Sequence, residues 1–471
     1  MLQKSSEKGQ ALVLIAFGAV VLFAFTAFAI DGSRLFSDRR HAQNAADTAA
    51  LAAALAKIRN PSNPDGAAKT AGLDRAASNG YITDADSTVE VHMCNEAGLT
   101  PPCEALPANA NPSDYIQVKI ISTIPTTFAR IIGRDHFTSV LTAIARASAG
   151  TPTVLFNGAA LAALKPSGPD TMSGNGNINL DVNNSGVFNN STDNCGMSVV
   201  GNGNYSVDTA FTLVSGTHCQ SGTPTLTGPV QSGAQTAYPP KITLLTPTIT
   251  CLGNGTQTVS VGADGITTNT FSPGNYNGIS INVSGHVHFS PGNYCFNGNV
   301  TINGNANIIA NDVNFLISAG EFLITGNTTF TCNNMLVHIS GGTGMRFNGN
   351  GGNYCNSVTF FASTGDVSWT GNVSNRFFAP TGGEYKNVLI YMPYGNNSAL
   401  NINGNSGNML TGSIIAVSSP ITISGNSGTT GLHSQIIGYT VSLLGNSNTI
   451  INYVDGEQYA QANPSAIGLT K

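Results

Sequence analysis

The sequence predicts a mainly β protein, in which a right-handed parallel β-helix follows an N-terminal transmembrane helix and a small α+β unit. Three observations support this fold class. A Gly-Asn phrase recurs through the far half of the chain at a period near 22 residues, which is typical of solenoids. An uncharged apolar stretch lies near the start of the chain. The chain is also poor in charge, with 9% charged residues, and rich in glycine, with 54.

The composition of the 471 residues excludes two classes of protein. Hydrophobic residues make up 41% and charged residues 9%, which is the opposite of the balance in disordered chains. The formal net charge is −5 and no basic run is present, so nucleic acid is not an expected partner. We expect an anchor and a continuing Ala-rich helix over 1–60, a small α+β unit over 61–150, and a solenoid over 151–471 with a Pro-rich insertion near 221–250.

The first segment predicts a membrane anchor. Lys4 and Lys8 precede an uncharged stretch that includes twenty residues from Ala11 to Ile30, a length that spans about 30 Å of hydrocarbon as a helix. The alternative is a secretory signal cleaved after Ala29, although cleaved signals usually have an apolar region of about 7–15 residues. Both interpretations export the rest of the chain. The residues expected in the membrane are Ala11, Leu12, Val13, Leu14, Ile15, Val20, Val21, Leu22, Phe23, Phe25, Phe28 and Ile30.

The cysteines indicate on which side of the membrane the bulk of the chain lies. All eight are at or beyond Cys94, and an even number of cysteines in an exported region is typical of disulfides. The charges that flank the apolar stretch do not decide its orientation. We therefore expect a single-pass membrane protein with its N-terminus inside and its bulk in the periplasm or at the cell surface.

The segment after the anchor predicts a small α+β unit. The alanine-rich pattern stays helical until Pro61 and Pro64, since proline ends a helix. The stretch GAAKTAGLDRAASNGY predicts a second helix and STVEVHM a strand. The expected order is helix, helix, strand, strand, short helix and strand. Cys94 and Cys103 bracket a Pro-Pro loop and are expected to form a local disulfide.

Two stretches resemble a known family. The run GQALVL…AIDGSRLFSDRRHAQNAADTAALAAALA and the segment DYIQVKIISTIPTTFARIIGRDHFTSVLTAIARA, from Asp114 to Ala147, are similar to TadE/TadG-like proteins of the Tad (tight adherence, Flp-type) pilus assembly system. The resemblance covers the first 150 residues and implies a pilin-like unit whose helix packs against other pilus components or like subunits. Pilin-type processing would cut between Gly9 and Gln10. Leu14 stands where pilin-like members carry Glu, which disfavours this cut.

The repeat begins near Thr171 and predicts a β-helix. The glycines of its later copies are 22, 23, 22, 33, 21 and 20 residues apart, and the longest interval contains the insertion APTGGEYKN. One coil would hold two or three short strands rich in Ile, Val, Thr and Phe, with Ile302, Ile402 and Ile421 pointing inward. A leucine-rich repeat has a similar period, but its leucine spacing and its helix are missing.

The corners of the coils are expected at the Gly-Asn pairs, because both residues tolerate the positive φ that tight corners require. Two interpretations of the asparagines remain open and are compatible. They form hydrogen-bonded ladders along the stack, or they serve turn conformation alone. The corner residues are Gly304, Asn305, Gly326, Asn327, Gly349, Asn350, Gly371, Asn372, Gly404, Asn405, Gly425, Asn426, Gly445 and Asn446.

Cysteine spacing supports the coil length independently. Cys195 and Cys219 are 24 residues apart, and Cys332 and Cys355 are 23 apart. Equivalent positions in adjacent coils lie about 4.8 Å apart, a Cα separation that a disulfide can bridge. Both pairs are therefore predicted to be bonded.

A further pair, Cys251 and Cys295, is separated by 44 residues, or about two coils. These two cysteines are disulfide candidates only if an insertion allows them to meet. The Pro-rich tract just before Cys251 predicts a loop that interrupts the stack.

Catalytic chemistry has weak support in the sequence. Polysaccharide-cleaving sites need clustered carboxylates, and no close acidic pair is present, although Glu321 and Arg346 are 25 residues apart, near one coil. His286 and His288 share one strand face but lack an evident third metal ligand. We predict no catalytic residue, no metal site and no cofactor. The charged candidates are Asp312, Glu321, Arg346, Asp366, Arg376, Glu384 and Lys386.

Aromatic residues around the irregular 33-residue interval have two interpretations. On an extended surface they stack on sugars or dock partners, and in the interior they pack the core. These residues are Trp369, Phe377, Phe378, Tyr385, Tyr391 and Tyr394.

Taken together, the patterns predict a membrane-anchored, surface-exposed structural or adhesive protein. The resemblance implies an association with Tad-type pilus assembly or a place as a minor pilus component. The alternative is a tethered β-helix that binds or degrades polysaccharide, with surface carbohydrate as its partner.

Overall fold

The computed structural model describes residues 8–60, 62–96, 103, 106–107, 110–148, 150, 152–237, 242–253, 257–261, 269–372, 374–404, 408–425, 429–446, 448–462 and 466–470. The chain divides into two compact units. The small unit comprises Met1–Pro152 and Ala462–Lys471, and the solenoid unit comprises Thr153–Gln461.

The helices of the small unit are α1 (Lys8–Arg59) and α2 (Pro64–Ser78). The anchor and the alanine-rich segment thus form one continuous helix of 52 residues. Between the helices, the side chain of Asn63 accepts a hydrogen bond from the backbone N–H of Gly66 at 3.2 Å and caps α2. Pro64 follows at the first helical position, where its missing N–H costs nothing.

A four-stranded antiparallel sheet completes the small unit. The side of α1 that faces this unit is lined by alanines that are at most 1% exposed, so small side chains let the helix pack closely on its neighbours. The observed order confirms the predicted elements, and the short helix is a 3-10 turn at Ala129–Ile132. In sheet order the strands are β1 (Ser87–Met93), β2 (Tyr115–Pro125), β3 (His136–Ser148) and β36 (Ala466–Thr470).

The last strand of the chain corrects the predicted extent of the solenoid. β36 pairs with β3 in the small unit, with Thr470 opposite Ile144, so the segment 151–471 does not form one solenoid to its end. The sequence AIGLT has no Gly-Asn corner and no stacking partner in the repeat. The solenoid unit is therefore inserted into the small unit between two neighbouring strands.

The solenoid unit is built from short strands that pair in parallel over about 12 turns. Its N-terminal strands are β4 (Pro152–Val154), β5 (Leu161–Ala163), β6 (Met172–Asn175), β7 (Asn179–Asn183), β8 (Val187–Asn189), β9 (Met197–Gly201), β10 (Asn204–Val207), β11 (Phe211–Leu213), β12 (Cys219–Gly222), β13 (Thr225–Thr227) and β14 (Val230–Ser232).

The C-terminal strands carry the regular repeat, except the last of them, which pairs with β4 in a separate two-stranded sheet. They are β15 (Gln257–Val261), β16 (Asn269–Phe271), β17 (Gly274–Val283), β18 (His286–Phe289), β19 (Gly292–Asn297), β20 (Val300–Gly304), β21 (Asn307–Ala319), β22 (Glu321–Gly326), β23 (Thr329–Ile339), β24 (Gly344–Gly349), β25 (Gly352–Ala362), β26 (Asp366–Gly371), β27 (Ser374–Phe378), β28 (Val388–Met392), β29 (Leu400–Gly404), β30 (Met409–Thr411), β31 (Ser413–Gly425), β32 (Thr429–His433), β33 (Ile436–Gly445), β34 (Asn448–Asn452) and β35 (Ala460–Ala462).

Each turn presents strands on three faces, and a long strand can serve two of them. The first half of β21 pairs with β18 and its second half pairs with β19. Between the halves the chain bends at Asp312, whose φ is +57°. Asn334 (φ +53°) and Ser357 (φ +59°) occupy the same bend in the next two turns. Stacked left-handed residues thus set one corner of the solenoid.

The turns do not stack in chain order. β33, from the last regular turn, pairs with β5 and β6, with Ile436 opposite Leu161 and Val441 opposite Met172. β34 pairs with β7. We call this junction the seam. It covers strand edges that would otherwise be unpaired, and it places the turns of residues 161–232 beyond the last regular turn.

A connecting segment explains the seam. The chain must pass from β14 at one end of the stack to β15 at the other, about 53 Å for eleven turns at ~4.8 Å each. The 24 intervening residues reach ~80 Å when extended, so they suffice. We call the described part of this segment, 233–237 and 242–253, the strap.

The strap runs along the side of the solenoid and is anchored to successive turns. The hydroxyl of Tyr391 donates to the carbonyl of Ile242 at 2.9 Å. The amide of Asn293, several turns away, donates to the carbonyl of Thr250 at 2.9 Å. Ile242 is 2% exposed and packs among side chains of the solenoid unit. Buried apolar contacts and hydrogen bonds therefore hold this proline-rich chain in place.

The predicted Pro-rich insertion near 221–250 differs from the observed structure, in which only the later part of this range belongs to the strap. Its first third forms a regular turn, because β12, β13 and β14 pair with the turn before them. Pro224 and Pro229 lie between these strands, where no ladder hydrogen bond is needed. The remainder is the connector and not a loop that interrupts the stack.

Apolar side chains of all turns form one continuous core. Ile302, Ile402 and Ile421 point inward as predicted, each at most 1% exposed. Aromatic rings fill much of the centre, mostly in edge-on contacts of the kind that add stability beyond area burial. Those that are at most 1% exposed are Phe211, Phe289, Tyr294, Phe296, Phe315, Phe322, Phe330, Phe347, Phe360, Trp369 and Phe377. Phe361 and Tyr391 are equally buried but belong to a second cluster, which includes Ile242 of the strap.

A glycine ladder marks a second corner. Gly326, Gly349 and Gly371 lie opposite one another in adjacent turns, and a Cβ on Gly349 would overlap the carbonyl oxygen of Gly326. Glycine is therefore required at Gly349 by close backbone approach, and at Gly326 and Gly371 also by positive φ, +77° and +86°. The ladder continues across the seam, because a Cβ on Gly176 would overlap the carbonyl oxygen of Gly445.

Asparagines at the corners make hydrogen bonds between turns. The amide of Asn327 donates to the side-chain oxygen of Asn305 at 3.0 Å. Away from the Gly-Asn corners, the buried amide of Asn353 donates to Asn375 at 2.8 Å. Hydrogen bonds between asparagines of adjacent turns are thus present, at one pair of Gly-Asn corners and at other positions. The positive φ of the described corners belongs to Gly304, Gly326, Gly371 and Gly445 and not to the asparagines. Two predicted corner residues, Asn405 and Asn426, lie outside the described residues.

The disulfide at the end of the strap is open to a direct test. Replacing Cys251 and Cys295 together by serine frees the strap end from β19. We expect a nonspecific protease to cut within 242–253 faster, and the free energy of unfolding to fall by about 2–4 kcal/mol. Limited proteolysis and urea unfolding measure both. Cys94→Ser with Cys103→Ser, in the small unit, is the control. Equal cutting in both variants would show that the disulfide does not hold the strap.

Candidate functional site

The first half of α1 is an exposed apolar surface. Among the described residues, one helix is long and apolar enough to span a membrane, with a mean hydropathy of 2.7 over its most apolar window and no part of that window buried. An exposed apolar surface of this size is typical of a membrane-spanning segment. Its large side chains are 41–75% exposed: Leu12, Val13, Leu14, Ile15, Val20, Val21, Leu22, Phe23, Phe25, Phe28 and Ile30.

The predicted processing site lies at the start of the same helix. The backbone of Gly9, Gln10 and Ala11 is helical, and the side chains of these residues lie outside the described part. Leu14, at the position where pilin-like proteins carry Glu, is 71% exposed like its apolar neighbours.

The apolar stretch ends at a buried carboxylate. Asp31 is 3% exposed, and it accepts hydrogen bonds from the backbone N–H groups of Thr127 (2.9 Å), Phe128 (2.9 Å) and Ala129 (2.7 Å). Burial by itself raises the pKa of Asp31, but these three donors and the nearby Arg34 outweigh it and hold the pKa below its usual value. An ionised Asp31 therefore fixes the loop after β2 against α1.

This contact joins the two stretches that resemble the Tad family. Asp31 belongs to the AIDGSRL run, and residues 127–129 belong to the PTTFAR segment. The guanidinium of Arg34 adds a hydrogen bond to the hydroxyl of Thr127 at 2.7 Å. The sequence shows both segments, but only the fold shows that they meet.

All eight cysteines form disulfides. Cys195–Cys219 and Cys332–Cys355 link adjacent turns with Cα separations of 4.8 and 4.4 Å. Cys251–Cys295 ties the strap to β19, so the segment that permits this pair is a connector running past the turns. Cys94–Cys103 closes a short loop in the small unit, with a sequence separation of 9.

The structure brings three of the charged candidates together. Arg346 contacts Glu321 at 3.0 Å and Asp366 at 3.3 Å, on strands β22, β24 and β26 of one face. The guanidinium lies between the two carboxylates and is shared by them, so one of the two negative charges is compensated. The other four candidates, Asp312, Arg376, Glu384 and Lys386, are exposed and do not join this cluster.

The remaining sequence candidates do not assemble a metal site. His286 and His288 lie on β18 with the outward-facing residues, while Val287 and Phe289 point into the core. Within the described residues, no group of three or more His, Cys, Asp or Glu side chains is placed to hold a metal ion.

Half of the aromatic residues around the long interval are buried, and Phe378 and Tyr385 are partly exposed. Trp369, Phe377 and Tyr391 are at most 1% exposed, so the surface interpretation is wrong for these three. Tyr394, at 60% exposed, does lie on the surface. Residues 381–384 of the insertion APTGGEYKN are exposed, and the strands on either side of it, β27 and β28, stay paired in the stack.

A cleft that the sequence did not indicate lies between the strap and the first turns. It has a volume of about 1050 Å³ and is lined by uncharged residues. Phe156 stacks on Phe188 at one wall, with ring centroids 5.4 Å apart. Phe156 and Asn157 both have positive φ, +51° and +53°, and the Asn157-Gly158 pair is the turn signal in the sequence. The polar lining residues include Asn157, Thr209, Thr212, Gln231 and Gln235.

Comparison with known families gives one match. Residues 9–56 match the family described as Putative Flp pilus-assembly TadE/G-like. No curated protein and no solved structure matches the chain. The matched residues include the exposed apolar half of α1, Asp31 and most of the buried alanine face. The segment 114–147 lies outside the match. The protein therefore carries a TadE/G-like Tad domain on its long N-terminal helix, followed by a small antiparallel sheet and a β-solenoid.

Proposed function

We propose that this protein is a single-pass, surface-exposed structural or adhesive component associated with Tad-type pilus assembly, or a minor pilus subunit. The observation that carries the proposal is the division of α1. Its first half is an exposed apolar helix and its second half is buried in the small unit, within residues that match the Tad family. A helix of this kind anchors a folded unit directly at a membrane.

The disulfides support export of the chain beyond the anchor. Eight cysteines in four disulfides are typical of an oxidising compartment such as the periplasm or the cell surface. Both units contain at least one of these bonds. The proposed orientation therefore has the N-terminus in the cytoplasm and both units outside.

We further propose that the solenoid is not an enzyme. The only carboxylates that stacking brings close to a base among the sequence candidates are Glu321 and Asp366, and both are paired with Arg346. A general acid or base needs a free proton site in a cleft. These residues instead lie on an open face of the stack.

The proposed partners follow from the surfaces. The exposed apolar half of α1 would contact lipid and the anchor helices of other pilus components or like subunits. Carbohydrate is a second candidate for the solenoid, favoured by the uncharged cleft with its Phe156–Phe188 wall. Nucleic acid is not proposed, given the net charge of −5.

An anchor exchange in the native host tests the proposal. One variant replaces residues 8–30 by an unrelated single-pass anchor of the same orientation, and a second removes residues 153–461. We expect the native chain to stay in the membrane pellet after carbonate extraction, to be cleaved by protease added to intact cells, and to co-purify with Tad components. The exchanged anchor should keep the first two properties and lose the third. The second variant should keep co-purification and lose surface attachment.

Three results would contradict specific parts of the proposal. Full co-purification after the exchange would show that α1 does not mediate a Tad association. Resistance of the solenoid unit to external protease, in cells whose surface proteins are cleaved, would contradict exposure at the surface. Release of reducing ends from a surface polysaccharide by the purified protein would favour the enzyme instead.

A further inference from the structure

The loop between β2 and β3 exposes apolar side chains near Asp31, where the apolar stretch of α1 ends. We call residues 126–135 the hairpin tip. Within it, Ile131 is 81% exposed, Ile132 is 64% exposed and Phe128 is 37% exposed. Two neighbouring isoleucines at such exposure leave an apolar surface without a partner in the described chain.

The hairpin tip is held rigidly against α1. The carboxylate of Asp31 accepts three backbone N–H groups from residues 127–129, as described above. The tip is also closed upon itself, because the N–H of Thr126 donates to the carbonyl of Asp135 at 2.9 Å and the N–H of Arg134 donates to that of Ala129 at 3.1 Å. The two isoleucines therefore keep a fixed height along the helix.

That height coincides with the edge of the apolar stretch. Asp31 is the first residue after Ile30, the last apolar residue of the anchor. The backbone N–H of Ala129 donates to Asp31, and Ile131 and Ile132 are two and three residues beyond Ala129. At ~2 Å per residue in a 3-10 turn, both isoleucines lie within about 6 Å of Ala129. The headgroup layer is about 5–8 Å deep on each side of the bilayer. The isoleucines therefore reach this layer wherever the anchor spans.

The charges around the tip suit a phosphate-rich surface. Arg34, Arg130 and Arg134 are exposed. The three arginines outnumber the two acidic residues in or bonded to the tip: Asp31, which is buried under backbone donors, and Asp135, which lies 4.0 Å from Arg130. Arginine at the edge of an inserted apolar surface pairs with lipid phosphates while its stem stays in apolar contact.

We propose that the hairpin tip is a second membrane contact, in which Ile131 and Ile132 insert into the leaflet from which α1 emerges and the arginines bind lipid phosphates. The inference rests on the proposed anchoring by α1. The second contact fixes the orientation of the small unit on the bilayer. With the helix alone, the unit can rotate about the helix axis, whereas a second contact with the membrane prevents this rotation.

Tryptophan quenching in vesicles tests the contact. The full-length protein is reconstituted in phosphatidylethanolamine and phosphatidylglycerol vesicles in which a fraction of the lipid carries bromine on its acyl chains. Ile131→Trp and Ile132→Trp are compared with Phe23→Trp in the anchor and with Leu73→Trp on α2. Leu73 is 44% exposed and follows Gly72, which lies against Ala53 of α1. Ala53 is about 33 Å beyond Asp31 along the helix. Trp369, buried in the solenoid, supplies a constant background in every variant.

We expect the tryptophans at 131 and 132, which lie where the headgroups meet the acyl chains, to be quenched less than that at 23 and several-fold more than that at 73. Quenching at 23 but not at 131 or 132 would overturn the proposed tip contact and leave the anchor intact. No quenching at 23 would overturn the anchoring itself. A blue-shifted but unquenched signal at 131 that grows with the protein-to-lipid ratio would show that a second copy covers the tip, which also overturns the proposal.

Discussion

Gly176→Ala lowers the free energy of unfolding of the solenoid unit by about 2–6 kcal/mol, because two separate costs act at this position. The residue has φ +123°, which an L side chain rarely adopts. Its new Cβ would also overlap the carbonyl oxygen of Gly445 across the seam. The atoms that this Cβ would meet all belong to the backbone of Gly445. Because no flexible side chain can move aside, the two backbones must separate.

Urea unfolding followed by the fluorescence of Trp369 measures this change, and hydrogen exchange of residues 161–189 and 436–452 locates it. Gly456→Ala is the matched control, since its Cβ meets nothing within 4 Å and should alter stability by at most about 0.5 kcal/mol. Equal stability of the two variants, with unchanged exchange at 436–452, would refute the seam.

Phe347→Ala should destabilise the same unit by about 3–5 kcal/mol, the usual range for removing a buried aromatic ring. Phe347 is fully buried at the centre of the core. Its ring centroid lies 5.7 Å from Phe360, 6.1 Å from Trp369 and 5.4 Å from Phe377. Alanine leaves a cavity that rings from three strands cannot fill.

The control for this substitution is Tyr354→Ala on the neighbouring strand β25. Tyr354 is 46% exposed, so its truncation should cost less than about 1 kcal/mol. Thermal and urea unfolding of both variants provide the comparison. A loss of less than about 1 kcal/mol for Phe347→Ala would mean that the aromatic column is not the core of the solenoid.

The features that depend only on the spacing of residues along the chain were predictable. The period of the turns follows from Gly326, Gly349 and Gly371, because each turn needs a glycine where backbones approach most closely. The same period places Cys332 beside Cys355. The anchor is equally readable, since its length and lack of charge come from twenty consecutive residues.

The features that depend on which segments meet were not predictable. Parallel pairing uses backbone groups that are the same in every turn, so the repeat carries no signal that β33 pairs with β5 and not with a terminal neighbour. The proline-rich strap looks like a loop because nothing local shows that Ile242 is buried against the solenoid. The hydrogen bond between Asp31 and Thr127 joins residues 96 positions apart. Trp369 lies in the core, although the nearby insertion suggested that it would be exposed.

The seam also determines when the solenoid can be completed during synthesis. β5, β6 and β7 are made early, but the strands that pair with one side of them, β33 and β34, are among the last to leave the ribosome. Ser173 and Ser442, which share a hydrogen bond across the seam, are 269 residues apart in the chain. Contacts of such sequence separation form slowly. One edge of the early turns therefore stays open until the chain is nearly finished, and closure of the seam is a late step that only a full-length solenoid unit can take.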